Sequence, residues 1–157
     1  MSDELKTSAK AVCDALCRAM DADGWKYEAD EDALSVHTAA KGDDLPVEIF
    51  IRIDEQRQIF YLRSPLVSIP EGKRAEAARL ICAMNYKIVR GCFDFDESDG
   101  ELVFRLTTSF RGSILGAEVF TDLLMCACLT VDRYNDSVAL YALGALSFDD
   151  FLVKIKD

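Results

Sequence analysis

Four carboxylates and a serine crowd in ahead of a glycine in "GCFDFDESDGELVF", residues 91–104, the part of the chain that most resembles a metal site. A calcium loop of the EF-hand kind takes oxygen ligands from its first, third and fifth positions. It also needs a glycine at the sixth and a bidentate Glu at the twelfth. Counting from Asp94 places Asp96 third and Ser98 fifth, which suits a cation. Asp99 then takes the glycine position, Gly100 arrives one residue late, and Arg105 stands where the Glu should be. A guanidinium would meet the ion there. The flanks alternate apolar and polar residues, which is a strand pattern rather than a helical one. Phe93 and Phe95 share one face, and Leu102, Phe104 and Leu106 share another. Between them, Glu97, Ser98, Asp99 and Gly100 supply turn chemistry, the Asp-Gly pair tolerating positive φ. The stretch reads as a hairpin tip, and no metal is expected on it.

Other reactive residue types give no constellation. The single histidine, His37, lies in a strand-like run with no Ser or Cys nucleophile motif to accompany it, so a surface or hydrogen-bonded role is expected. "SFRGSILG", residues 109–116, has two glycines but neither the P-loop lysine nor dinucleotide spacing, and reads as a loop leading into a helix. Of the six cysteines, Cys13 and Cys17 lie one helical turn apart, but no second Cys or His pair follows at zinc spacing. Cys82, Cys92, Cys126 and Cys128 complete the set, and all six are expected as buried, reduced thiols packing like small apolar residues. Asn135 opens a glycosylation sequon that a chain without an export signal never uses. No catalytic residue and no cofactor is expected, and the chain is not read as an enzyme.

The elements that carry these residues follow from periodicity. Residues 3–21 place Leu5, Val12, Leu16 and Met20 at helical spacing, with Ser2 as N-cap and Asp3 and Glu4 facing the positive end of the dipole. Strand-like runs follow at 25–28, 34–38, 47–54 and 58–63. Their connections are too short for crossover helices, so they form an antiparallel meander. A second helix begins near Ser68 and Pro70, burying Ala77, Leu80, Ile81 and Met84 and turning Lys73, Arg74, Glu76 and Arg79 to water. After the hairpin, residues 116–146 are helical in pattern, with an interruption expected at Asn135 and Asp136. Ser147 caps a short terminal helix. The order α-β-β-β-β-α-β-β-α predicts an α+β fold with helices packed on an antiparallel sheet.

Length and composition agree. The chain of 157 residues, half hydrophobic and 29% charged, suits one domain spanning 1–157 that buries about 70% of its unfolded surface. A formal charge of −10 counts against nucleic acid, whose phosphates need a basic patch. No run approaches the ~18 apolar residues of a membrane span. The acidic start lacks the basic and apolar segments of a signal peptide, so a cytoplasmic location is expected.

Residues 80–105, "LICAMNYKIVRGCFDFDESDGELVFR", resemble the central block of the YbjN-domain family at Asn85, Gly91, Phe93, Asp99, Gly100, Phe104 and Arg105. Downstream, "VDRYNDSVALYALG" resembles the family's closing helix at Asp132, Tyr134 and Gly144. The match is good over roughly residues 70–145; the first helix and first four strands match only in order. The family is similar in fold to the type III secretion chaperones, small acidic homodimers that bind extended segments of client proteins. The resemblance implies a binding protein and supplies no catalytic residue.

Two functions follow as expectations. One is a non-enzymatic protein- or peptide-binding module, chaperone-like or adaptor-like, with Phe50, Ile59 and Tyr61 alternating away from the core to receive a client. The competing reading has those residues covered by a helix or by a second copy. The other is a small-ligand-responsive regulator, or an enzyme whose site the sequence hides. A homodimer is expected because strands such as 47–54 and 58–63 carry apolar residues on both sides, with Ile88 and Val89 adding to them.

Overall fold

The computed structural model describes residues 7–157 except residue 114. Its elements run α1 (Ala9–Ala22), β1 (Tyr27–Asp30), β2 (Ser35–Ala40), β3 (Val47–Asp54), β4 (Ile59–Pro65), α2 (Arg74–Lys87), β5 (Cys92–Phe95), β6 (Leu102–Ser109), α3 (Ala117–Leu143) and α4 (Phe148–Lys156). A single 3-10 turn, Glu71–Lys73, leads into α2. The strands form one antiparallel sheet in the order β1-β2-β3-β4-β6-β5. The first four are a meander, as their short connections require. The hairpin then docks by its second strand: β6 pairs with β4 from Ile59↔Ser109 to Pro65↔Val103, leaving the short β5 at the edge.

Alternation decides which side carries the core. Ile49, Ile51 and Ile53 of β3, Phe60 and Leu62 of β4, and Leu102, Phe104 and Leu106 of β6 are buried on one face. Leu16 and Met20 of α1, Leu80 and Met84 of α2, and Phe120 and Leu124 of α3 join them in one cluster. Each such side chain gains ~1.5–3 kcal/mol when fully buried. Against that summed drive, the helices have every reason to gather on this side. The short α4 closes against α2 and α3 with Phe151.

Several expectations need correction. The helix expected over 3–21 does not run through residues 7 and 8 but starts at Ala9, where Ser8 supplies the N-cap by accepting from the Ala11 N–H at 3.3 Å. Thr7, just ahead, donates its N–H to Gln58 Oε1 at 2.9 Å instead of entering a helix. The expected cap at Ser2, with Asp3, Glu4 and Leu5, lies outside the described residues. In the hairpin the turn falls where expected, but Phe93 pairs with Phe104 and Phe95 with Leu102. Both runs therefore share the helix-covered face instead of lying on different ones. Asn135 does not interrupt α3; it is buried within an unbroken helix that ends at Gly144 in the left-handed conformation, φ 81°.

The polar side of α2 is also more engaged than a solvated face. Arg74 donates to the carbonyls of Ile69, Ser98 and Asp99 and so clamps the hairpin turn to the start of the helix. Glu76 accepts from the Tyr141 hydroxyl at 2.7 Å, and Lys73 and Arg79 lie over the rings of Tyr141 and Phe148. Among the cysteines Cys13 is buried, which pushes its thiol up to about 11, but Cys82 is exposed and does not pack as an apolar residue.

The open face of the sheet as candidate functional site

Among the described residues, helices cover one face of the sheet and none covers the other, so the residues of opposite parity in each strand form a surface. Two rows cross it. The first runs Glu28, His37, Phe50, Arg63, Arg105, Cys92. The second runs Asp30, Ser35, Arg52, Tyr61, Thr107. Phe50 and Tyr61 are thus diagonal neighbours, and Arg52 and Arg63 occupy the other diagonal. Ile59 lies two residues further along β4, opposite Asp54.

All three residues singled out from sequence therefore share this face. Phe50 is 46% exposed, and Ile59 and Tyr61 are half-buried. They are interleaved with guanidinium groups, and do not make an unbroken apolar patch. Sequence reading did not bring Arg63 and Arg105 to this surface beside them. The β4–β6 register that brings them together spans a helix and cannot be read locally.

Each charged group has an identifiable partner or lack of one. His37 Nε2 lies 2.6 Å from Glu48 Oε2, and its ring stacks on Phe50 with centroids 4.5 Å apart. That contact gives the lone histidine its hydrogen-bonded role. Arg105 holds Asp94 bidentately, through Nε at 2.5 Å and Nη2 at 3.0 Å. The guanidinium bonds keep the Asp94 carboxyl below its ordinary range, and the carboxylate in turn raises Arg105. Burial and the same carboxylate raise the Cys92 thiol beside them. Arg63 reaches Glu101 at 3.2 Å, Arg57 pairs with Asp54 at 2.8 Å, and Arg52 makes no ion pair among the described residues.

The face is shallow. One depression of about 500 Å³ runs from Asp30 and His37 to Tyr61 and Arg63, and a second of about 470 Å³ is lined by Arg52, Arg57, Ile59, Tyr61, Arg63 and Arg105. Both include Arg52, Tyr61 and Arg63, so these three residues sit at the middle of one continuous trough.

The hairpin residues that looked like a cation loop are committed elsewhere. Asp96 accepts from the Ser98 N–H and hydroxyl, Asp99 from the Glu101 N–H, and Asp94 belongs to Arg105. Among the described residues no group of three His, Cys, Asp or Glu side chains is placed to hold a metal ion.

The residues matched from sequence explain the hairpin's position. Asn85 of α2 accepts from the Phe93 N–H at 2.7 Å and donates to the Phe93 carbonyl at 2.9 Å, closing the outer edge of β5 as a further strand would. Gly91 and Gly100 have φ of 76° and 83°; a side chain would meet the Phe104 ring at the first and the Ile69 carbonyl at the second. Asp132 accepts from the Asp43 N–H at 2.9 Å, tying α3 to the β2–β3 connection. All of these are structural roles.

Among the described residues no helix is long and apolar enough to cross a membrane. Comparison with curated proteins finds no match. The crystal structure of YbjN from E. coli superposes with a TM-score of 0.61 at 13% identity, covering 82% of this chain and 91% of that one. The ExsC–ExsE complex gives 0.54 at 16%, covering 82% and 93%. The HopA1–SchA chaperone–effector complex gives 0.49 at 15%, covering 82% and 92%. At these identities the likeness concerns the fold, which is that of the type III secretion chaperones. The family model for YbjN, described as "Putative bacterial sensory transduction regulator", matches residues 13–140, so the chain belongs to the YbjN family.

Proposed function

We propose that the chain is a non-enzymatic module that binds a segment of a client protein on the open face of its sheet, acting as a chaperone or as an adaptor in regulation. One observation carries this reading. Among the described residues the six-stranded sheet has its helices on one side, and no helix covers Phe50, Ile59 and Tyr61 on the other. Aromatic side chains on a flat, rigid surface give large contact area at low entropic cost. Shallow troughs suit an extended polypeptide better than a small substrate, which needs enclosure.

In this reading the chain works as one domain, in the cytoplasm, and as a homodimer. Tyr86 and Val89, 90% and 98% exposed at the end of α2, offer a second copy an apolar contact away from the open face. Light scattering at moderate salt should give twice the 17.5 kDa chain mass; the mass of one chain contradicts the dimer.

The client reading is tested by affinity capture from native cells with the wild-type protein and the F50S/Y61S variant. A protein retained by the first and lost from the second is expected. The same proteins retained by both would place the binding surface elsewhere. A small-ligand-responsive regulator is the second reading, favoured by the arginine-lined depression beside Tyr61. It would show as a saturable thermal shift with a small organic anion and no retained protein.

A further inference from the structure

We infer that the occupant of the open face is an acidic segment, an extended stretch of a partner protein whose carboxylates meet Arg52 and Arg63 while an apolar or aromatic side chain lies on Tyr61. The inference rests on the client reading above and names the client's chemistry. The first ground is where the cations are. The six strands contain three arginines and no lysine, and Arg52, Arg63 and Arg105 all project from the open face. The chain as a whole carries −10, so this is a cationic cluster set within an acidic surround.

The second ground is cost. Arg63 stands directly opposite Arg105, which brings like charges to about 5 Å at Cβ and destabilises the strand pair. Arg52 adds a third charge on the diagonal. Compensation falls off across the sheet: Arg105 is held bidentately by Asp94, Arg63 has one exposed bridge to Glu101, and Arg52 forms no ion pair among the described residues. An incoming carboxylate at Arg52 and Arg63 supplies what the chain does not. Arginine also matches it better than lysine, since the planar fork takes both carboxylate oxygens.

The third ground limits the ligand. Glu28 and Asp30 line the β1 side, and Asp94 and Glu101 the β5 side, while Glu48 is held by His37 and Asp54 by Arg57. The cationic zone is therefore confined to the middle strands. From β3 to β6 it spans roughly 10 Å at ordinary strand spacing, the length of about three extended residues. A long polyanion such as nucleic acid has the same affinity for guanidinium but must also pass the acidic rims and the overall negative field. A short acidic segment need not.

Fluorescence anisotropy tests this with three labelled probes. They are a peptide of about ten residues alternating Glu or Asp with Phe or Leu, its Gln/Asn counterpart, and a single-stranded oligonucleotide. The wild-type protein should bind the acidic peptide at least about tenfold more tightly than the amide peptide, and more weakly as salt rises. The R52Q/R63Q variant should lose about tenfold in affinity for it while its thermal midpoint stays level or rises, because like charges are removed. Equal binding of both peptides, abolished by F50S/Y61S, overturns the acidic preference and leaves the client reading standing. Failure of the acidic peptide to bind, indifference to R52Q/R63Q, or preference for the oligonucleotide each overturns the inference. So does a change in oligomeric mass in R52Q/R63Q, which would assign the face to a second copy.

Discussion

Tyr61 and Leu62 are neighbours in β4 and belong to opposite sides of the sheet. Leu62 is fully buried among Ile51, Leu106 and the helices; Tyr61 sits half-exposed between guanidinium groups. The two faces share every backbone hydrogen bond and differ only in side chains. On the helix side, apolar groups of complementary volume satisfy one another and leave nothing for a partner. On the open side, aromatic rings alternate with arginines that the chain only partly neutralises. One face holds the fold together, and the other spends some of that stability on a surface that no described helix packs against.

Mutating across that boundary should give the largest contrast. Leu62→Ala removes buried methyl groups and leaves a cavity, so its urea midpoint should fall by the equivalent of about 2–5 kcal/mol. Tyr61→Ser, one residue away, should cost no more than about 1 kcal/mol. A comparable loss at Tyr61 would make the open face part of the structural core.

A smaller effect is expected where the sheet ends. Asn85→Ala strips both partners from the Phe93 backbone and should cost about 1–3 kcal/mol. The signature is local: hydrogen exchange at the Phe93 amide should speed up before that of the β3 amides. Uniform acceleration would mean Asn85 stabilises the whole fold and not the β5 edge.

Smaller again is the ion pair on the open face. Arg105 holds Asp94 below its ordinary value of 3.8, so the pair adds stability that is present above that pH. It is lost as pH falls through the depressed folded pKa. Urea midpoints of wild type and Asp94→Asn should therefore differ modestly at neutral pH, begin to converge below about 3.8 and meet once the pH is under the depressed folded value. A gap that persists in strong acid would assign the effect to packing. The smallest expected effect is that of calcium: at millimolar concentration it should leave the melting temperature unchanged, because the hairpin carboxylates already accept from Ser98, Glu101 and Arg105.

What was legible in the sequence was local. The buried stripe Ala77, Leu80, Ile81 and Met84 follows from helical spacing, and the turn before Gly100 from its residue types. The cap at Ser8 was missed because the helical spacing extends ahead of it, whereas Thr7 is drawn into a tertiary bond to Gln58, distant in sequence. Asn135 looked like a break because isolated propensity disfavours it in a helix, yet burial of Val131, Tyr134 and Val138 around it carries α3 through. The open face was half legible. Phe50, Ile59 and Tyr61 emerged from alternation within two strands. Arg63 and Arg105 did not emerge together, because only the docking of β6 against β4 sets them opposite each other.

The claim that the bare face is the working face is tested most directly by placing a photo-crosslinking amino acid at position 61 and, separately, at position 129. Leu129 is a suitable control, an apolar residue of α3 that is 65% exposed. Irradiation in native cells should trap a distinct partner polypeptide from position 61 and none from position 129. Trapping from 129 alone, or a position 61 adduct consisting only of a second copy of this chain, would contradict the account.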